Sequence, residues 1–324
     1  MKTAVALGAA LLALLIVEGV VRVVAPVYDP SGSLAFTYLP DGTPIGPPNA
    51  VRRQTKSTGD YDVLVRFNAL GFRDPKPVES STPESIFVVG DSFAFGWGVE
   101  ESDRFSDLLQ QRLHRPVFNI GEGSADFDGY GHLVRYAESH GAHIGTLVVT
   151  VCMENDLREY GPDEPERTNV EGLPAFKNFL TDHSALYGLI AAAIHRSPPL
   201  ERAASRAGLL VPNLAAIAGS DASEDAVKSS VERLRALASG RRAIVLIVPS
   251  RALWAGTDAH RRQVARTHET FTGLLRQAGL PVVDVRPEFE GTGNPLGLHF
   301  RADGHWTGEG HRIAAEALAT TLIP

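Results

Sequence analysis

From Ser85 onward, short runs that are apolar at all or most positions alternate with stretches whose apolar residues recur every three or four positions. The runs are Ile86 to Val89, Val117 to Ile120, Ile144 to Met153, Ala243 to Val248 and Val282 to Val285. Such strands are those of a sheet covered on both faces, since a strand with one wet face alternates. Between the first two runs, Phe105, Leu108, Leu109 and Leu113 fall on a helical period within Asp103 to Leu113, with Ser102 or Asp103 placed to cap it. Further helices are expected at Tyr130 to Ser139, Ala226 to Ala238, His260 to Gln277 and Gly308 to Leu322. This alternation predicts an α/β class chain: a flavodoxin-like doubly wound five-stranded parallel sheet with helices on both faces. A site in such a sheet lies at the carboxyl ends of the strands.

Two regions stand outside the alternation. Residues 27–84 are rich in Pro, Gly, Ser and Asp, as in Pro44-Ile45-Gly46-Pro47-Pro48, and read as loops and short strands. Within them Val63 to Asn68 alternates as an edge strand does. Between Leu157 and Ser223 no core strand is legible. That insertion holds an expected helix, Ala185 to His195, and the apolar run Gly208 to Ile217. A lid, a membrane contact and extra core are the three roles open to it. No internal repeat is evident.

The N-terminus changes the picture most. Met1-Lys2-Thr3 leads into an unbroken apolar run from Ala4 to Val17. As a helix that run spans roughly 21 Å, short of the ~30 Å hydrocarbon core of a bilayer. Extended to Pro26 it reaches about 34 Å, with Glu18 and Arg22 four apart and able to pair on one face near its end. An uncleaved membrane anchor and a cleaved signal peptide both fit, and both export the rest of the chain. Cleavage after Val23-Val24-Ala25 is disfavoured by Pro26 directly behind it. The expected organisation is a membrane anchor or signal segment over residues 1–26, an extended spacer or collar over 27–84, and the α/β domain over 85–324 with an insertion at about 157–223. The domain is then membrane-anchored and exported, periplasmic or extracellular, or secreted if the segment is cleaved.

Composition narrows the function classes. The 324 residues are 44% hydrophobic and 21% charged, enough to build a sizeable core. A net charge of −7 and the absence of any Lys/Arg-rich run argue against nucleic acid as a partner. Cys152 is the single cysteine, so no intrachain disulfide forms; it falls in an expected core strand and reads as a small apolar residue.

Candidate chemistry clusters at strand ends. Gly90-Asp91-Ser92 follows the first strand, where a glycine permits a tight exit and a serine presents its hydroxyl and backbone N–H at the top of the sheet. Alone, the triplet is also ordinary turn chemistry. Asn119-Ile120-Gly121-Glu122-Gly123-Ser124 follows the second strand and offers free N–H donors or a plain turn. Glu154-Asn155-Asp156 follows the third, where an asparagine amide can donate to an anion. Asp303-Gly304-His305 precedes the last helix. In an extended turn a carboxylate at 303 reaches the imidazole Nδ1 while Nε2 faces outward, which gives a serine the base it needs. Thr307 is placed to cap the helix that follows.

Together these four blocks resemble the SGNH (GDSL-like) hydrolase family, over roughly Ser85 to Pro324, and Arg66 to Arg73 resembles a segment that precedes the domain in membrane-anchored members. The resemblance implies an SGNH fold and a serine esterase or deacylase with Ser92 as nucleophile, His305 as base and Asp303 as its acid. The oxyanion donors are Ser92, Gly123 and Asn155. No metal or cofactor is implied. The implied partner is an acyl ester, of cell-envelope carbohydrate or a small molecule. Three departures stand out. The asparagine block has Glu154 where glycine is usual before its Asn, and the second block has Ser124 at the usual glycine position, one after Gly123. The last block reads Asp-x-His followed by Trp306, as in acetyltransferase-like members. An O-acyltransferase of the same fold and a non-catalytic carbohydrate-binding member are therefore the competing readings. His299, His305 and His311 are six apart, but lack carboxylate or cysteine partners at metal-ligand spacing; His311 is expected on the helix surface. Trp97 and Trp306 flank the catalytic blocks, where they either line the pocket or pack. Asp91 is expected to support its turn rather than to serve as the triad acid.

Overall fold

Ile86–Val89 and Ala243–Val248 form as strands over the expected residues, and Val117–Asn119, Thr146–Cys152 and Val282–Asp284 over slightly less. In chain order these five strands are β1 (Ile86–Val89), β2 (Val117–Asn119), β3 (Thr146–Cys152), β4 (Ala243–Val248) and β5 (Val282–Asp284). The computed structural model of the protein describes residues 2–160, 179–206 and 222–322. It divides into a smaller compact unit, residues 2–34, 52–62 and 179–206 of the described chain, and a larger one, residues 35–51, 63–160 and 222–322. The apolar run Gly208 to Ile217 lies outside the described residues.

All five strands are parallel and lie in the order β2-β1-β3-β4-β5. The chain reverses direction of winding between β1 and β3, and the crevice beyond the carboxyl ends of those two neighbours is where a doubly wound sheet binds its ligand. Alternate residues of each strand enter different cores. Phe87, Val89, Val149, Val151 and Ile247 join one cluster, and Ile86, Val88, Val148, Cys152 and Leu246 join the other. Each such side chain contributes about 1.5–3 kcal/mol of burial. The first cluster is covered by helices α4 (Phe127–Ser139), α7 (Glu224–Ala238) and α8 (Asp258–Gln277); the second by α3 (Phe105–Leu113), α9 (Arg286–Gly291) and α10 (Gly308–Leu322). Cys152 is buried in β3 as a small apolar residue.

Two local expectations, the cap of α3 and the place of His311, are corrected. Neither Ser102 nor Asp103 caps α3: both lie in a 3₁₀ turn, and Arg104 occupies the cap position without a side-chain capping bond. The Thr307 hydroxyl donates to the Leu298 carbonyl, and its own carbonyl receives the His311 N–H of α10. His311 is buried, not on the surface. It stacks on Phe105, and its Nδ1 accepts the Phe105 N–H at 3.4 Å.

Burial, and then the charges of Arg104 and Arg73, hold His311 down to about 3. The native state keeps it neutral, whereas the unfolded chain protonates it near the ordinary value of about 6.5. Over that window the unfolded state binds more protons at this position. The histidine therefore costs stability on acidification, by up to ~1.4 kcal/mol per pH unit. His311→Phe keeps the ring stack and is expected to gain stability relative to the parent steadily as pH falls from 6.5 to 4 in urea unfolding. A parent–variant difference that stays flat with pH would contradict this.

In the smaller unit, α1 (Lys2–Val24) contains a 20-residue stretch, Val5–Val24, of mean hydropathy 2.3, long and apolar enough to cross a membrane. The expected Glu18–Arg22 pair forms at 2.8 Å. Glu18 also accepts from Ser184 Oγ and from the N–H groups of Ala185 and Leu186, so it caps α5 (Ala185–Arg196) from 167 residues away. Helices α6 (Pro198–Arg206) and α5 are the described elements of the insertion, and no strand occurs among its described residues.

Candidate active site

Gly90 leaves β1 because nothing larger fits: a Cβ there would lie 2.7 Å from the Thr150 side chain and 2.8 Å from Ala94. Asp91 then caps the short helix α2 (Ser92–Phe95), its Oδ1 accepting the Phe93 N–H at 3.0 Å. This places Ser92 at the first position of α2, where its N–H has no acceptor within the helix. Behind it, Gly96 takes φ +82° and lets the Arg104 side chain pass under the end of α2.

The Asp-Gly-His block sits in a tight turn. Phe300 N–H donates to the His305 carbonyl and Thr307 N–H to the Leu298 carbonyl, pairing the two sides. At the tip, Asp303 Oδ1 accepts both the His305 backbone N–H and His305 Nδ1–H. That fixes the tautomer and leaves Nε2 as acceptor, and Ser92 Oγ lies 2.7 Å from it. Ser92, His305 and Asp303 thus form one hydrogen-bonded row across 213 positions of sequence. Trp97 stacks on the imidazole at 5.4 Å between centroids and Phe93 packs beside it at 5.1 Å. Trp306 is fully buried against Phe93 and Phe289, so of the two flanking tryptophans only Trp97 adjoins the row.

The three oxyanion candidates surround the serine's strand end. Gly121 N–H is occupied by Asn119 Oδ1 and Glu122 N–H by the Gly90 carbonyl, whereas Gly123 and Ser124 N–H meet no acceptor among the described residues. A Cβ at Gly123 would lie 3.2 Å from both Phe36 and Trp97, so a larger residue would crowd this wall. The Glu122 carboxyl is buried, and burial pushes it well up against the opposing charges of Arg104 and Arg73. Asn155 stands exposed beyond β3, and its Nδ2 donates one hydrogen to Asp91 Oδ2 at 3.0 Å, leaving the other for a ligand. Asp91 therefore holds the turn and the amide, and does not contact His305. Burial pushes its carboxyl up, against the Asn155 and Phe93 hydrogen bonds.

Of the residues that support the site, Arg73 and Asn68 lie outside the four blocks. Asp156, buried, accepts from Tyr130 Oη and the Cys152 N–H and fixes the loop that bears Asn155. Arg73 donates to the Phe95, Gly96 and Val99 carbonyls and so gathers the far end of α2. The Asn68 side chain, bonded to Leu70 N–H and Phe72 N–H, shapes the loop that delivers Arg73. Only the resemblance of Arg66 to Arg73 to a family segment pointed there. No group of His, Cys, Asp or Glu able to hold a metal occurs among the described residues.

The model of the GDSL-like Lipase/Acylhydrolase family matches residues 88–313, which spans every block above. The chain belongs to that family. It is an SGNH/GDSL-type hydrolase, of the class that acts on ester bonds. Solved structures similar to this GDSL-like chain include a member of the lipolytic protein G-D-S-L family from Veillonella parvula, 14% identical, covering 74% of this chain and 97% of its own at a TM-score of 0.43. The lipase/acylhydrolase from Enterococcus faecalis is 12% identical, with 74% and 95% covered and a TM-score of 0.41. No curated protein matches.

Proposed function

We propose that this GDSL-like hydrolase is a serine esterase that removes an acyl group from cell-envelope carbohydrate or a small ester, with Ser92, His305 and Asp303 as its triad. The observation that carries the reading is the 2.7 Å contact of Ser92 Oγ with His305 Nε2, whose other nitrogen is held by Asp303. Ser92 Oγ attacks the ester carbonyl as His305 takes its proton, and Asp303 stabilises the imidazolium. The tetrahedral oxyanion accepts from the N–H groups of Ser92 and Gly123 and from Asn155 Nδ2. Collapse expels the alcohol, which leaves with the proton from His305. Water then attacks the acyl-serine, giving its proton to His305, and the carboxylic acid departs as Ser92 is reprotonated.

Envelope carbohydrate is favoured because α1 exports the catalytic unit. The Glu18 bonds to α5 favour retention of α1 as an anchor, since its removal would strip two helix N–H groups of their acceptor. The Asp-x-His-Trp block favours a second reading, transfer of the acyl group to a sugar hydroxyl in place of water. The test uses the full chain solubilised from membranes, with its mass recorded, an acetylated aryl ester as donor and a neutral oligosaccharide as acceptor. Free acetate at the rate of aryl release, unchanged by acceptor, is expected. Acetylated sugar that takes over that flux would replace hydrolysis with transfer, and no aryl release at all would end both.

A further inference from the structure

The family departure at Glu154 has a partner. Its Oε1 accepts the Arg251 backbone N–H at 2.7 Å and Arg251 Nε–H at 3.1 Å, and its Oε2 accepts from Arg251 Nη2 at 2.8 Å. Glu154 precedes Asn155 in the loop after β3, and Arg251 opens the loop after β4. The same guanidinium lies against Gly304, between Asp303 and His305: a Cβ at that position would sit 2.6 Å from Arg251 Cζ and 2.7 Å from Nη1 and Nη2. Gly304 has no positive φ, so the glycine answers to close approach and not to backbone conformation. Both side chains are largely enclosed, with 14% of Arg251 and 19% of Glu154 exposed. One ion pair therefore touches the loop that carries the oxyanion amide and the turn that carries the base.

We propose that Glu154 and Arg251 are positioning residues that hold Asn155 and His305 at a fixed separation, joining the loops after β3 and β4 to the Asp-Gly-His turn. This rests on the esterase reading above. It gives the residue that breaks the family pattern, and the glycine between the acid and the base, one shared cause. An Arg fork on a carboxylate is planar and directional, which suits a brace better than a point charge does. Burial works against the Arg251 charge, but the hydrogen bonds and charge of Glu154 outweigh it and push the group up. The other titratable groups that face the pair are Asp303, Cys152, His299 and His305.

The test measures the second-order rate at which a fluorophosphonate labels Ser92, because that rate depends on the base and the oxyanion donors but on no natural substrate. Glu154→Gln and Arg251→Met are each expected to slow labelling by ~10-fold or more, since small displacements of aligned groups cost that much. The double variant is expected to be no slower than the worse single. The acid limb of the pH–rate profile should move in opposite directions, by about half a unit each. It rises when Arg251 is lost and the Glu154 charge stays, and falls when Glu154 is neutralised and the Arg251 charge stays. Arg251→Lys keeps the charge without the fork: its acid limb should match the parent while its rate stays low. Gly304→Ala, which keeps both charges and displaces the guanidinium, should also be slow. Folding of each variant is checked by its unfolding midpoint, and a variant that fails to fold is replaced in the comparison by Arg251→Lys. Parent rates in the folded variants, additive losses, or limbs that move the same way would overturn the brace while leaving the esterase reading intact. A parent that does not label at Ser92 at all would overturn that reading and the brace together.

Discussion

Ser92→Ala is expected to abolish turnover of a short-chain aryl ester, lowering kcat by roughly 10⁵. The oxygen removed meets His305 Nε2 at the head of α2, where β1 ends. Its loss leaves the base with no nucleophile to activate, and the oxyanion donors alone retain a small part of the rate. The fold should be indifferent. Alanine is favourable in a helix, and the hydroxyl makes only a single hydrogen bond, to a half-buried ring. Parent and variant are therefore expected to unfold at the same denaturant concentration, while fluorophosphonate labels only the parent. Turnover in the variant equal to that of the parent would remove Ser92 from the chemistry.

Two aspartates stand at this site, and substitution should tell them apart. Asp303→Asn is expected to lower kcat by ~10⁴, because an amide no longer selects the Nδ1–H tautomer or stabilises the imidazolium. Asp91→Asn is expected to cost about 10- to 10²-fold. Asparagine caps α2 as well as aspartate does, so Ser92 stays in place. The acceptor for Asn155 Nδ2 disappears, and that amide would face a second amide, which loosens one of three oxyanion donors. The KM for a small ester should change little in either variant, since neither side chain lines a binding surface in the row. A larger loss at Asp91 than at Asp303 would assign the triad acid to the wrong residue.

The strands were legible from the chain because a doubly covered strand is apolar at most positions without alternating, even where Asn119, Thr150 and Asp284 interrupt it. Their ends were less so: Val117 to Ile120 loses Ile120 to the loop, since the pairing with β1 ends at Asn119. His311 shows where residue type misleads. It lies on the same stripe as Ala314, Ala315, Leu318 and Leu322, and that period places it inside, whatever the polarity of imidazole. Arg251 carried no periodicity and no motif, and Arg73 only its place in the segment from Arg66 to Arg73 that resembles a family one. An arginine that acts by gathering carbonyls or by crossing to another loop leaves its mark only in contacts between distant segments.

The amino-acid sequence alone determined the class of sheet, the strand ends at which polar residues gather, and the residue types able to supply a nucleophile, a base and an acid. Those follow from local rules: an apolar period, a glycine exit, an acid two residues from a histidine. Tertiary structure decided which of the candidates meet. It set Ser92 against His305, turned Asp91 toward Asn155 and away from the imidazole, buried Trp306 and kept Trp97 at the site, and gave Glu154 its arginine. Such choices depend on separations of a few ångströms between loops that are far apart along the chain, and only the packed sheet fixes those distances.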